Sequence, residues 1–424
     1  MRVRFIAVAL FAAIVVALGG TAAASRAHEQ PASTPDTYVN YWDGVGSQAF
    51  TAAALTPPEG FVIFAYVGIA EYDSVMAIRG GYQPFAVDVE APAGASAEAA
   101  VVAAAHAILV HYLPEQKLTI LDPAYDQSLG TIRDGQAKDD GVATGEDVAG
   151  DLIRLRADDG FRDPVTYTPP NPPIPGVWIP TAPTPPLGTY MPYMRPFSLR
   201  SPDQFRPGGP PPLSSRRWAG DYNEVQEIGS RTSTTRTPEQ TVAARFWGEP
   251  PIQQAHGAYR KFVLDHQLDV VDASRFMAMV TVVSADAIIA CFDAKYHYAF
   301  WRPITAIRAG DTDGNDATVA DPNWLPLLPA TPNHPEYPSA HSCATPASAG
   351  VIARFLGTQH IDFTVPSLTG LGDRRFDRVK DLEYEVTNAR IWGGIHYRTS
   401  VDAGVKIGMK TEHQVLAHHF HATD

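Results

Sequence analysis

Three short clusters of residues between positions 295 and 402 carry side chains that could bind and transform an oxyanion. Guanidinium groups present a fixed fork of N–H donors that matches a tetrahedral oxyanion, and a lysine adds a compact charge. Two histidines nearby could carry protons near neutral pH, or one of them could act as a ligand or a nucleophile. The sequence therefore predicts an anion pocket built from three pairs of residues, namely Lys295 and Arg302, Ser339 and His341, and Arg390 and His396.

A long buried helix is predicted to carry the first cluster. The apolar stretch 273–291 leads directly to Lys295, and Arg302 follows seven residues later, a spacing of two helical turns. Pro303 then predicts the end of that helix. We therefore expect both cations to point to one side of a continuous helix.

Helix ends are predicted to present the other two clusters. Ser339 stands where an apolar stretch restarts after a Pro-rich loop, which is typical of a helix N-terminus. The free backbone N–H groups of Ala340 and His341 could bind an anion there, together with the Ser339 hydroxyl. Residues 376–392 predict a further helix with Arg390 in its last turn, which two glycines then end.

The three clusters resemble the tripartite signature Lys-x6-Arg-Pro, Pro-Ser-Gly-His, and Ser-Arg-x5-His-x3-Asp. Vanadium-dependent haloperoxidases and acid phosphatases of the type 2 phosphatidic-acid-phosphatase (PAP2) superfamily share this signature. The spacing inside each cluster agrees with it, and so does the order of the clusters along the chain. The resemblance implies a mainly α fold, in which helical bundles hold the active site between helices of the C-terminal half.

Two chemistries follow from the resemblance, because vanadate and a phosphoryl transition state have nearly the same shape. In a haloperoxidase, His396 would be the only protein ligand of vanadium, His341 would act as acid–base, and Lys295 would polarise the hydrogen peroxide that oxidises a halide to hypohalite. In an acid phosphatase acting on phosphate monoesters, His396 would be the nucleophile that forms a phosphohistidine, and His341 would protonate the leaving alcohol. In both cases the oxygens of the anion would be held by Lys295, Arg302, Ser339, the Ala340 N–H and Arg390.

Three positions bear on how far the resemblance extends. Ala340 replaces the glycine of the signature, a change of little consequence if only its N–H is used. Ser400 stands where the signature has Asp four residues after His396, and Asp402 is the candidate that would orient the His396 ring instead. His334, in the loop before the second cluster, resembles the bromoperoxidase version of the site, although it could equally be an ordinary loop histidine.

A Pro-rich segment supports the haloperoxidase alternative. Residues 164–212 hold 17 of the 37 prolines, interleaved with aromatic side chains, which predicts an ordered strap that could form one wall of the substrate entrance. Bacterial haloperoxidase-like proteins have a similar segment. Together with His334, this similarity favours a haloperoxidase with vanadate as cofactor, acting on bromide rather than chloride, over the phosphatase. A third alternative, a non-catalytic secreted oxyanion-binding protein, would not need two histidines.

The overall composition limits the partners of the protein. A net charge of −13 argues against nucleic acid and against an anionic membrane surface, so the cationic pocket is a local feature. The two cysteines, Cys291 and Cys343, could form a disulfide in an exported chain or could remain buried free thiols.

The first 24 residues have the features of a secretory signal peptide, with a basic start, a short apolar core and an Ala-x-Ala end. Cleavage is expected after Ala24. An uncleaved anchor is less favoured because the apolar run is short, and no other segment is predicted to span a membrane. The mature protein is expected to be exported as a single all-α domain over 25–424, with N-terminal helices at 25–160, a Pro-rich strap at 161–235 and a catalytic helical bundle at 236–424.

Overall fold

The computed structural model describes residues 38–423, and over this range the predicted mainly α fold is confirmed. The predicted signal peptide and its cleavage position lie outside these residues. In chain order the described helices and strands are α1 (Tyr38–Ala52), α2 (Pro57–Arg79), α3 (Ala97–Tyr112), α4 (Asp122–Gly130), α5 (Gln136–Arg156), α6 (Arg216–Ile228), α7 (Pro238–Phe246), α8 (Pro251–Asp265), α9 (Val270–Tyr298), α10 (Pro303–Arg308), α11 (Ala340–Leu356), β1 (His360–Val365), β2 (Arg374–Arg378), α12 (Val379–Trp392) and α13 (Arg398–Leu416). The strands pair as an antiparallel hairpin.

Two of the described helices, α2 and α9, are long and apolar enough to span a membrane. The prediction that no segment after the leader has these properties was therefore wrong on length and composition. In the fold, 83% of the apolar window of α2 and 100% of that of α9 are buried, and the two helices pack against each other. They form the middle of the hydrophobic core.

The chain turns between the two cations of the first cluster, so the prediction that one helix carries both was wrong. α9 ends at Tyr298, and Ala299 adopts a left-handed conformation with φ of 43°. Arg302 then forms the N-cap of α10, with Pro303 at the first helical position, where its missing N–H costs nothing.

The Pro-rich segment is held to the core by backbone hydrogen bonds. Residues 164–212 contain a single short 3-10 turn, Met191–Tyr193. The buried Asp286 carboxylate of α9 accepts the backbone N–H groups of residues 197–199 at 2.7–3.0 Å. The predicted strap boundaries, 161–235, also enclose α6, a helix that the sequence analysis did not anticipate.

α11 is placed at the centre of the C-terminal bundle, where it packs against α9, α12 and α13. Glycines on α13 allow the close approach, because an added Cβ at Gly408 would lie 2.3 Å from the Cys343 carbonyl oxygen. An added Cβ at Gly404 would lie 2.7 Å from the Ser339 carbonyl oxygen. This packing fixes the N-terminus of α11, which carries the second cluster.

Candidate active site

A cavity of about 320 Å³ lies between α2, α8, α9, α11 and α12. Lys295, Arg302 and Ser339 are fully buried and do not line it, but each contacts residues of its wall or neighbours them in sequence. Five of the residues predicted to form the site line the cavity, namely His334, Ala340, His341, Arg390 and His396.

A buried carboxylate orients the His396 ring. Nδ1 of His396 lies 2.7 Å from Oε1 of Glu336, and the same oxygen accepts the Tyr397 backbone N–H at 3.1 Å. Because Oε1 accepts twice, the proton of His396 lies on Nδ1, and Nε2 keeps its lone pair. Gly394 shapes the preceding turn with φ of 78°, where an added Cβ would lie 2.5 Å from the Gly229 carbonyl oxygen.

The burial of the site keeps its histidines neutral. Burial and then the charges of Arg302 and Lys295 hold the pKa of His396 well below its usual range. Burial and then Arg390 and Lys295 do the same to the pKa of His341. Burial also raises the pKa of Glu336 to about 7, against the opposing effect of the two cations nearest to it. A neutral His396 with a free Nε2 can act as a ligand or a nucleophile.

The prediction that Asp402 orients His396 was wrong. The Asp402 side chain is 50% exposed and accepts a hydrogen bond from Nη2 of Arg217 at 3.3 Å. Ser400, which replaces the Asp of the signature, places its Oγ 3.4 Å from Nδ1 of His396. Glu336, which orients the ring instead, was missed, although it is the one carboxylate between Pro332 and Ser342 of the second cluster.

Arg302 joins two loops of the site. Its Nε donates to the His334 carbonyl oxygen at 2.9 Å, Nη1 to that of Ile395 at 3.0 Å and Nη2 to that of Pro332 at 3.1 Å. Nη1 also lies 3.3 Å from Nε2 of His396. Any group bound to that nitrogen would therefore lie beside the guanidinium of Arg302.

Lys295 supports the loop of the second cluster from below. Its Nζ donates to the carbonyl oxygens of Pro335 and Glu336, both at 3.0 Å, and to that of Pro338. These three acceptors use all the donors of an ammonium group. Burial lowers the pKa of Lys295 to about 8. Lys295 therefore contributes its charge to the site while it holds the backbone of residues 335–338.

Two donor groups of the cavity wall remain open to an anion. Nη1 of Arg390 donates to the Trp247 carbonyl oxygen, but its buried Nε has no hydrogen-bond partner among residues 38–423. The first N–H groups of α11, at Ala340 and His341, have no acceptor within the helix, and the Ser339 side chain does not cap them. A buried donor without an acceptor is costly, so this end of the cavity fits an oxyanion such as vanadate or phosphate.

His334 and the two cysteines lie close to the same loop. The His334 ring packs 5.1 Å from the Phe292 ring, and burial followed by two nearby cations holds its pKa well below the usual range. Cys291 and Cys343 are both buried free thiols, so of the two alternatives the structure has the thiols and not the disulfide. The Cys291 thiol also donates to the Pro338 carbonyl oxygen at 3.7 Å.

Comparison with known proteins agrees with this arrangement. Residues 275–423, which contain all three clusters, match the family described as the VCPO second helical-bundle domain. Vanadium chloroperoxidase from Curvularia inaequalis is 25% identical over 354 residues, or 63% of this chain. The chain spans 58% of the length of that relative.

Two solved structures share the fold over most of their length. A bacterial vanadium-dependent iodoperoxidase superimposes with a TM-score of 0.80 at 25% identity, covering 93% of this chain and 99% of the other. A holo-type bacterial vanadium-dependent chloroperoxidase gives a TM-score of 0.68 at 19% identity, covering 90% and 97%, which is a likeness of fold alone. The fold and the site define a helical protein with a buried oxyanion pocket. The chain is similar to vanadium haloperoxidases in this fold and in the sequence of its C-terminal part.

Proposed function

We propose that this protein is a secreted vanadium-dependent haloperoxidase, an enzyme that uses hydrogen peroxide to oxidise a halide to hypohalite. One observation carries the proposal. Glu336 fixes the His396 ring so that its Nε2 lies beside the guanidinium of Arg302, and His396 lines the same cavity as Arg390, whose buried Nε has no partner among the described residues. The similarity to vanadium-dependent relatives supports vanadate as the anion for which this end of the cavity is built.

Each residue has a defined part in holding the anion. Nε2 of His396 would be the protein ligand of vanadium, while Arg390, Arg302 and the N–H groups at the start of α11 would neutralise the oxygens. Bound vanadate supplies a Lewis acid that activates peroxide at neutral pH without changing its own oxidation state. The charge of Lys295, delivered through the loop that it supports, adds to this electrostatic stabilisation.

His341 manages the proton of the peroxide. Its ring lines the cavity at the N-terminus of α11, and its depressed pKa leaves it neutral at pH 7. A neutral imidazole can accept a proton from the incoming peroxide and return it when an O–O bond is cleaved. His396 would not be available for this role, because its Nε2 would bind the vanadium and its Nδ1–H already donates to Glu336.

The halides that are easier to oxidise are the proposed substrates, with bromide preferred to chloride. His334 lines the cavity next to Arg302, where its ring could contact a halide approaching the anion. The similarity to an iodoperoxidase supports a site suited to iodide and bromide.

A parallel assay of one anion-free preparation tests the proposal. One half receives orthovanadate, hydrogen peroxide and bromide, and bromination of a β-diketone is measured. The other half receives an aryl phosphate without vanadium. Bromination that requires vanadate and is blocked by phosphate is expected. Hydrolysis of the ester that vanadate inhibits, without bromination, would instead establish the phosphatase.

A further inference from the structure

The cavity extends well beyond the oxyanion end, along one face of α11. Its lining takes residues from successive turns of that helix, with 344 and 345 followed by 348, 349 and 352. At 1.5 Å per residue, the distance along the axis from His341 to Ile352 is about 16 Å. A space of this length is far larger than hydrogen peroxide and a halide ion need.

Beyond the polar donors, starting at the Phe292 ring beside His334, the cavity is apolar. We call this part the apolar arm and define it by six lining residues from three elements. Small side chains on α11 leave the space open, and larger apolar side chains of α9 and β1 enclose it. The six residues are Ile288, Phe292, Ala344, Ala349, Ile352 and Phe363.

Most polar groups in the cavity wall outside the oxyanion end already have partners in the protein. The Tyr259 hydroxyl donates to Oγ of Ser348 at 2.8 Å. Nε2 of Gln254 donates to Oε2 of Glu249 at 3.0 Å, and that carboxylate also accepts the Leu368 backbone N–H at 2.8 Å. A polar ligand would find few free hydrogen-bond partners here. An apolar ligand could displace water from the cavity while the polar groups of the wall keep their partners in the protein.

We propose that the apolar arm binds an uncharged, electron-rich organic molecule and that halogen is transferred to it inside the cavity. A volume of about 320 Å³ suits a molecule with one to three rings or a short unsaturated chain. The binding part of this proposal needs only the arm, while the transfer part rests on the proposed haloperoxidase function.

The transfer balances with the reagents of that function. Peroxide, halide and one proton give hypohalous acid and water. The halogen then bonds to a carbon of the bound molecule, the O–halogen bond breaks, and the proton lost from that carbon joins the hydroxide as a second water. One peroxide is reduced for each C–H bond that becomes a C–halogen bond.

A binding experiment without vanadium, peroxide or halide tests the first part. The probe is N-phenyl-1-naphthylamine, an uncharged electron-rich arene whose fluorescence rises in apolar surroundings. Saturable binding at one site is expected. Ala349→Leu should weaken it by about tenfold or more, because the added methyl groups fill the arm two turns from His341.

Further variants distinguish loss of probe binding caused by filling the apolar arm from loss caused by disruption of the fold. Ala258→Leu, which adds bulk to the same cavity from α8 and serves as the second arm variant, repeats the test if the first variant fails to fold. Ala143→Leu makes the same change on the exposed face of α5 and should leave probe binding unchanged. Equal probe affinity in the wild type and both arm variants would overturn the proposal, as would the absence of saturable binding.

A competition experiment tests where the halogen is transferred. The loaded enzyme is given peroxide, bromide, the arene and monochlorodimedone together, and the ratio of the two brominated products is measured. If the halogen is transferred in the cavity, the enzyme should give a higher ratio of brominated arene to brominated monochlorodimedone than added hypobromite gives. Ala349→Leu should lower the enzyme's ratio to the hypobromite value. Identical ratios for enzyme and reagent would overturn in-cavity transfer. No bromination of either acceptor, with probe binding intact, would count against the proposed function and not against the arm.

Discussion

Two long buried helices, α2 and α9, each hold an extended segment with an aspartate that receives three backbone N–H groups. Asp73 of α2 accepts from residues 85–87 at 2.6–2.9 Å. Asp286 of α9 accepts from residues 197–199 at 2.7–3.0 Å. Both aspartates are fully buried. The two halves of the protein therefore use the same local device to fix chain that has no regular secondary structure.

The helices differ in what lies beyond the aspartate. α2 ends six residues later at Arg79, whereas α9 continues to Lys295, under the loop of the second cluster. The strap held by Asp286 also reaches that loop, because Thr181 donates its N–H to Oδ1 of Asn333 at 3.0 Å. The N–H of a second strap residue, Leu187, donates to the Asn333 carbonyl oxygen at 2.9 Å. The buried aspartate stabilises an extended segment in both halves, but only in the C-terminal half does that segment support the loop of the candidate active site.

His396→Ala should have the largest effect of the variants that test whether only the C-terminal half positions the anion site, and the affected quantity is vanadate affinity. Loss of a supporting partner alone reduces metal affinity by about 10–100-fold, so loss of the ligand itself should reduce vanadate affinity by more than about 100-fold. Vanadate titration of the anion-free protein measures this. Asp402→Asn, on the neighbouring helix, is the control and should bind as the wild type does. Unchanged vanadate affinity in His396→Ala would contradict the placement of the vanadate site at His396 in the C-terminal half.

The next effect concerns Glu336, which takes the place of the Asp in the signature. Glu336→Ala should lower vanadate affinity by about 10–100-fold, because the His396 ring loses the acceptor that fixes it. Ser400→Asp in that background should restore much of the affinity, since Oγ of Ser400 already lies 3.4 Å from Nδ1. A failure of both changes to alter vanadate affinity would contradict this role.

Matched substitutions of the two aspartates test the comparison itself. Asp73→Asn and Asp286→Asn should each lower the free energy of unfolding by about 3 kcal/mol, because an amide N–H₂ would oppose backbone donors. Only Asp286→Asn should also weaken vanadate binding, by about threefold, through the strap and Asn333. Chemical unfolding and vanadate titration give both values. Equal effects of the two variants on vanadate affinity would refute the difference between the helices.

The last prediction is a pH dependence of stability from Asp73, which is small at each step of pH. Burial raises its pKa to about 7, although the three backbone N–H groups act in the opposite direction. The unfolded chain releases this proton near pH 4, so the stabilisation is complete below about pH 4 and is lost as the pH rises through about 7. Relative to Asp73→Asn, the wild type should lose about 1.4 kcal/mol per pH unit in this range. Urea unfolding of the two proteins across the range measures the loss, and a constant difference between them would show that the group does not titrate there.

The sequence predicted the mainly α fold and the anion pocket from short-range features. Lys295 and His341 lie in patterns whose spacing is fixed by local chain geometry, so they could be found without a structure. Glu336 could not be assigned in this way, because a carboxylate brought to His396 from 60 residues away depends on how loops pack. The absent Asp at position 400 was the available signal, and it should have directed attention to acids within the other clusters.

The extent of the cavity was also beyond the sequence. Its walls come from α2, α8 and β1 as well as the three clusters, and the sequence analysis anticipated neither α8 nor the hairpin. Of the strap residues, Leu187 lines the cavity, so the predicted wall of the entrance is a minor part of it. Long-range packing, rather than local pattern, sets this volume.

If the protein has the proposed function, the composition of the cavity wall has a consequence for how long the enzyme stays active. The residues that line it, all within the described part of the chain, include neither methionine nor cysteine. Thiols and thioethers are the side chains most readily oxidised. The nearby thiols of Cys291 and Cys343 are fully buried behind the wall. Under the proposed function, hypohalite formed in the cavity would meet no thiol or thioether in the cavity wall, and we expect slow inactivation during repeated turnover.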